Sequence, residues 1–268
     1  MIRTPGKFVW FEHLSNDVSA AIWFYESLFG WQIKPTPVGG VDYELIHLRG
    51  GEGIGGFRVA LPGVPTQWTS YLSVGDVDAS FAAAVAAGAR GVMPPTEFGP
   101  MGRGAAIVDP TGAAFCLWKG ALGDRADRDV VPMGDFYWNE LCTPDPPAAA
   151  TFYERVFGLR GQRVGNNVTG NYLFLMKDGR ARGGIVRPPG GGRTPMWLPY
   201  VHVDDCDAAA SRAQRLGARS LVAPTDITEI GRFAALADPL GAAFAVIRSY
   251  GVRLSAEEAA SDADLGPL

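Results

Sequence analysis

The chain has 268 residues, 47% of them hydrophobic and 19% charged, with a formal net charge of −4. That apolar content is enough for a folded core and excludes disorder for most of the chain. The acidic balance excludes a general binder of nucleic acid or anionic membrane, which would present a basic face.

The N-terminal stretch MIRTPGKFVWFEHL has no apolar leader pattern, and no run of about 20 apolar residues spans a bilayer. Cys116, Cys142 and Cys206 are widely spaced and lack a C-x-x-C pair, so they predict reduced thiols in a cytoplasmic protein rather than a disulfide framework or zinc site. Thirty-five glycines and 20 prolines predict many turns between short strands.

The first predicted element is a strand from Phe8 to His13. A helix follows, capped by Asp17 or a neighbour, with Val18, Ala21, Ile22, Tyr25, Leu28 and Phe29 at helical spacing and Gly30 as its stop. Strands are expected at 31–34, 43–48, 55–60 and 71–74, a helix at 77–87 ended by Gly88, and strands at 105–108 and 114–118. Asp109-Pro110-Thr111-Gly112 has the residues of a type I turn. Helices near 147–157 and 206–216 repeat the pattern.

The repetition extends to individual residues. At an offset of 128, Gly6, Phe8, Trp10, Glu12, Phe24, Tyr25, Phe29 and Gly30 recur as Gly134, Phe136, Trp138, Glu140, Phe152, Tyr153, Phe157 and Gly158. At 129, Tyr71, Asp76, Arg103, Asp109 and Pro110 recur as Tyr200, Asp205, Arg232, Asp238 and Pro239. A tandem duplication is the economical reading. It predicts one domain at 3–120, a polar linker at 121–130, a second domain at 131–250 and an acidic tail at 251–268 that frays.

Four βαβββ modules, the helix ends FYESLFGW and FYERVFGL, and the DPxG hairpins at Asp109 and Asp238 resemble the vicinal oxygen chelate superfamily, the glyoxalase/bleomycin-resistance/dioxygenase fold. The resemblance takes in nearly everything except the linker and tail. It implies an α+β fold of two glyoxalase-like domains, each a curved mixed sheet around a cavity. It also implies three metal-ligand positions per cavity, at Trp10, Thr69 and Cys116 and at Trp138, Leu198 and Ala245. Those residues are not the His and carboxylate set a divalent cation needs, so no metal and no cofactor is expected.

Strand alternation places Phe8, Trp10 and Glu12 on one face, and Phe136, Trp138 and Glu140 likewise. Tyr71 and Trp118 are expected to join the first set, Tyr200 and His202 the second. Glu12 and Glu140, flanked by apolar residues, read either as partners in salt bridges to Arg103 and Arg232 or as carboxylates that touch ligand or take a proton. Trp10, Tyr71, Trp118, Arg103, Trp138, Tyr200, His202 and Arg232 are the candidate ligand contacts. Cys116 reads as an inert buried thiol. The glycine-rich stretches from Gly50 and from Pro188 are expected to form rims. Residues 95–101 are expected to form a lid, matched by 225–230, and Trp68, Met196 and Trp197 to line a mouth.

These expectations favour a metal-independent binder of a hydrophobic or aromatic small molecule, natural-product or antibiotic in kind. The alternatives are a cofactor-independent isomerase, cyclase or lyase with a cavity Glu as general base, or a hydroxylase or dioxygenase of that superfamily. The partner is a small molecule, not nucleic acid or membrane, and the chain acts as a monomer or homodimer.

Overall fold

The computed structural model describes residues 2–38, 41–163, 172–188 and 194–251. The first half runs β1 (Phe8–Ser15), α1 (Val18–Phe29), β2 (Gln32–Val38), β3 (Val41–His47), β4 (Gly53–Val59), β5 (Gln67–Ser73), α2 (Val77–Ala86), β6 (Arg90–Glu97), β7 (Gly102–Val108) and β8 (Ala114–Gly120). The second runs β9 (Phe136–Cys142), α3 (Pro146–Phe157), β10 (Arg160–Gln162), β11 (Tyr172–Lys177), β12 (Arg180–Val186), β13 (Met196–His202), α4 (Cys206–Arg215), β14 (Arg219–Ile227), β15 (Gly231–Ala237) and β16 (Ala243–Ser249).

Each half makes its own eight-stranded sheet, ordered β2-β3-β4-β1-β5-β8-β7-β6 and β10-β11-β12-β9-β13-β16-β15-β14. The sheets are curved and not closed, an α+β architecture. The first strands of the two modules, β1 and β5, pair antiparallel at the centre of the sheet, and β9 and β13 do the same. The helices start and stop for local reasons. Asp17, Asp76, Asp145 and Asp205 each accept a backbone N–H of the first turn, and Gly30 and Gly158 close α1 and α3 at φ 67°, where a side chain would be strained.

The sheets pack back to back through their helix-bearing faces. One continuous core takes Phe11, Phe24, Tyr25, Phe57 and Phe115 from the first half and Leu141, Phe152, Tyr153, Trp197 and Phe244 from the second. Phe11 stacks on Phe136 at 4.0 Å between ring centres. The DPxG hairpins plug into this interface. The Tyr25 hydroxyl donates to Asp238 Oδ2 at 3.1 Å, and the Tyr153 hydroxyl to Asp109 Oδ2 at 2.8 Å. Trp68 Nε1–H donates to Tyr25 and Trp197 Nε1–H to Tyr153. These two tryptophans are therefore core residues, not the expected mouth lining, because Trp68 and Trp197 fall on the helix-bearing side of β5 and β13.

The linker is tied to both halves. Asp127 receives Lys7 at 3.1 Å and Arg182 at 2.8 Å, while Arg125 joins Glu52 and Asp135, each at 2.7 Å.

Three further expectations are corrected. Gly53–Gly56 belongs to β4 rather than to a rim, because glycine lets this strand press against neighbours: a Cβ on Gly55 would collide with the Phe11 carbonyl. Of the expected lids, residues 95–97 and 225–227 belong to strands β6 and β14. Phe8 lies in the core against Trp197, off the Trp10 face, and Phe136 also packs on the core. A register slip between Phe8 and Trp10, repeated between Phe136 and Trp138, inserts one residue and breaks the alternation. The rim expected from Pro188 falls mostly in 189–193, and the tail in 252–268; both lie outside the described residues.

Candidate functional site

Each sheet turns its second face away from the shared core, and the duplicated acids lie there. In the first half, Trp10 and Glu12 project from β1 beside Tyr71 of β5, Cys116 and Trp118 of β8, and Tyr43 of β3. The Trp10 Nε1–H donates to the Tyr43 hydroxyl at 2.9 Å. Glu12 is 4% exposed, and its Oε2 accepts Tyr71 at 3.0 Å and Arg58 Nη2 at 2.9 Å. Trp118 lies edge-on to Tyr71, with ring centres 5.9 Å apart, and Phe98 stands 5.8 Å beyond. Burial pushes the Cys116 thiol up to about 12 with help from the Glu12 charge, so it stays protonated and inert.

The second half rebuilds the same arrangement. The Trp138 Nε1–H donates to the Tyr172 hydroxyl at 2.9 Å, and the Tyr200 hydroxyl donates to Glu140 Oε1 at 3.0 Å. Leu198, Tyr200, Ala235, Ala245 and Ile247 form a small apolar cluster, with Tyr137, Trp138 and Phe233 against it. The resulting surface is apolar and aromatic around a few converging polar groups, the character of small-molecule sites.

Glu140 differs from Glu12 in its electrostatics. Burial pushes its carboxyl up to about 7, and the hydroxyls of Tyr200 and Tyr172 only partly offset this. No arginine or lysine reaches it among the described residues; Cys142 Sγ lies 4.0 Å from Oε1. The residue as a whole is half-buried rather than sealed from solvent. A carboxyl poised near neutrality, within reach of an entering molecule, can take or give a proton.

The tyrosines depend on glycine. A Cβ on Gly184 would collide with the Tyr172 ring and hydroxyl, and one on Gly56 with Tyr43. Only a bare backbone leaves room for each phenol to lie across β12 or β4 and reach its tryptophan.

The structure thus brings Trp10, Glu12, Tyr71 and Trp118 together, and Trp138, Glu140 and Tyr200 together. It sends other candidates elsewhere. Arg103 does not meet Glu12: it donates to Asp78 at 2.7 Å and Glu97 at 3.1 Å on the surface. Arg232 repeats this with Asp207 at 2.6 Å and Asp226 at 3.0 Å, not with Glu140. Both arginines sit near the start of an outer strand, where acids of the preceding helix and of the neighbouring edge strand are nearest. His202 donates from Nδ1 to the Val131 carbonyl at 2.8 Å. It lines a cleft of about 440 Å³ between the halves with Leu28, Trp31, Arg49 and Arg212, apart from both carboxylates.

Three residues were missed by the sequence reading. Tyr43 and Tyr172 recur at the same offset of 129 as Tyr71 and Tyr200, and that repeat was the available signal. Arg58 gave none, since only strand register places it beside Glu12.

The donor set at the metal positions of the resembled superfamily does not fit a divalent cation. Trp10, Thr69 and Cys116 in one half and Trp138, Leu198 and Ala245 in the other offer no carboxylate or imidazole. Among the described residues no three His, Cys, Asp or Glu side chains converge.

Comparison with known proteins agrees with this architecture. A model of the glyoxalase-like domain matches twice, at residues 10–118 and 139–247. The chain is 38% identical over 245 residues to CFP32 of Mycobacterium tuberculosis (strain CDC 1551 / Oshkosh), named provisionally as a glyoxylase, covering 89% of this chain and 93% of that one. It is 31% identical over 258 residues to the anthracycline biosynthesis protein DnrV of Streptomyces peucetius, covering 91% and 93%. Among solved structures, the Mn(II)-bound glyoxalase from Novosphingobium aromaticivorans superposes with TM-score 0.64 at 17% identity, covering 93% of this chain and 85% of that one. An extradiol ring-cleaving dioxygenase from B. fuscum also reaches 0.64, at 14% identity, covering 93% and 73%. At such identities the likeness is one of fold.

Proposed function

The chain belongs to the glyoxalase-like domain family, and from that premise we propose that it is a metal-independent protein that binds an aromatic, oxygen-bearing small molecule on the open face of its second sheet. The observation that carries this reading is the uncompensated Glu140 carboxyl, set among Trp138, Tyr172 and Tyr200 beside an apolar cluster. A flat aromatic molecule fits the indole and phenol walls, and a hydroxyl or carbonyl on it satisfies the acid. The relationship to DnrV, an anthracycline biosynthesis protein by name, supports an aromatic polyketide-like ligand class.

The test is a fluorescence titration with 1,8-dihydroxyanthraquinone as probe. Quenching is expected in the unaltered chain and a loss of at least tenfold in affinity in Trp138→Phe and Tyr200→Phe. No quenching, or equal quenching in all three proteins, overturns the reading.

The near-neutral titration of Glu140 favours a second reading in which binding leads to turnover. The ionised carboxylate takes a proton from a carbon next to a carbonyl, and the C–H electron pair moves onto the carbonyl oxygen as an enolate. The acid then returns the proton to the same or another carbon, so no oxidant or reductant enters. 2-Tetralone, whose C1 methylene lies next to the carbonyl, is the probe: catalysed exchange of those hydrogens in D₂O is expected, and its persistence in Glu140→Gln rules this reading out.

A further inference from the structure

The two acids sit in copies of one frame, yet the strand beside them differs at one position. In the first half Gly56 lies opposite Glu12 and Arg58 opposite Leu14. In the second, Gly184 lies opposite Glu140 and Val186 opposite Cys142. By register, Val186 is the counterpart of Arg58.

Arg58 gives Nε and Nη2 to a single oxygen, Glu12 Oε2, at 3.2 and 2.9 Å. Its Nη1 makes no hydrogen bond among the described residues. The two partners are unequally exposed: 5% for the Glu12 side chain and 37% for that of Arg58. The ion pair is therefore oriented, with the acid inward and the planar guanidinium outward. The other titratable groups facing Glu12 are Tyr43 from β3, Tyr71 from β5 and Cys116 from β8, and each is held protonated by burial. Among the described side chains, Glu12 is the one acid that pairs with Arg58. Tyr71, which donates to the same Glu12 oxygen, begins an aromatic wall that continues through Trp118 to Phe98.

We propose that the open face of the first sheet is a second binding site, chemically distinct from that at Glu140, which takes an aromatic carboxylate on the free edge of Arg58. A guanidinium edge matches a carboxylate in shape and charge, and the wall takes the ring. Glu12 holds Arg58 in place and exchanges no proton with the ligand. Duplication followed by the Arg58/Val186 difference thus yields one sheet face for an anion and one for a molecule with an exchangeable hydrogen.

Isothermal titration of the full chain at pH 8 with 2-naphthoate and its neutral analogue 2-naphthamide tests this. Naphthoate is expected to bind the unaltered chain and Glu140→Gln alike, at least tenfold more tightly than naphthamide. Arg58→Val is expected to lose that preference. Because Arg58→Val strands a buried acid, Glu12→Gln provides the independent measurement. Removing the competing charge should tighten naphthoate about fivefold and leave naphthamide within twofold. Equal binding of the two probes, no response to Glu12→Gln, or loss of naphthoate in Glu140→Gln overturns the proposal. Retained naphthoate binding together with failure of the anthraquinone titration removes the Glu140 reading and leaves this one standing.

Discussion

The Tyr25 hydroxyl donates to the Asp238 carboxylate at 3.1 Å, joining the first helix of one half to the last hairpin of the other. Asp238 Oδ2 also faces His13 Nε2 at 2.8 Å, and its Oδ1 accepts the backbone N–H groups of Leu240 and Ala242, each at 2.9 Å. One buried acid therefore shapes its own turn and locks two domains together. Tyr153 and Asp109 do the same in the opposite sense.

This interlock predicts cooperative unfolding. Tyr25→Phe removes one donor from Asp238 and leaves the Trp68 indole N–H without its acceptor, at a cost of about 1–3 kcal/mol. Urea denaturation followed by tryptophan fluorescence and by circular dichroism should give coincident single transitions in both proteins, with the midpoint lowered in the variant. Two separated transitions would mean that the halves fold independently.

Glu140 makes stability depend on pH in a stated direction. Its carboxyl is pushed from an ordinary 4.5 to about 7, so between these values the folded chain keeps a proton that the unfolded chain has released. The contribution is fully present below pH 4.5 and is lost as pH rises through 7, reaching up to ~3 kcal/mol across that window. The difference in unfolding free energy between the unaltered chain and Glu140→Gln should fall from pH 4.5 to 7 and level off above 8. A flat difference would contradict the burial of this acid.

The glycine under Tyr172 is required for the site. Gly184→Ala forces the phenol away from the Trp138 indole and Glu140, with an overpacking cost of about 1–3 kcal/mol. Affinity for 1,8-dihydroxyanthraquinone should drop at least tenfold while circular dichroism keeps its shape.

The repeated arginines should be dispensable. Arg103 and Arg232 hold exposed acids at the surface, so Arg103→Ala and Arg232→Ala should leave both probe affinities and the urea midpoint unchanged. A loss of binding in either would place Arg103 or Arg232 at a site from which the structure keeps it apart.

The duplication was legible because matching residues recur at offsets of 128 and 129, and Trp10, Glu12 and Tyr71 with their mates were found that way. Pairing Glu12 with Arg103 failed for a physical reason: both recur, but recurrence carries no distance. Asp78, in the first turn of α2, is the nearer acid. Phe8 was assigned to the cavity because alternation assumes an unbroken ladder, and the inserted residue at Val9 is invisible until the partner strand is in place.

Local chemistry was enough to settle the helices, with an Asp at each start and a glycine ending two of them, and the count of modules, since both depend on residues a few positions apart. Which carboxylate carries a counter-charge depended on the chain's return path. Arg58 and Val186 matter only because parallel pairing of β4 with β1, and of β12 with β9, lays them beside the acids across dozens of intervening residues. Electrostatic energy follows separation in space and the solvent between charges, and neither quantity exists until the sheet has formed.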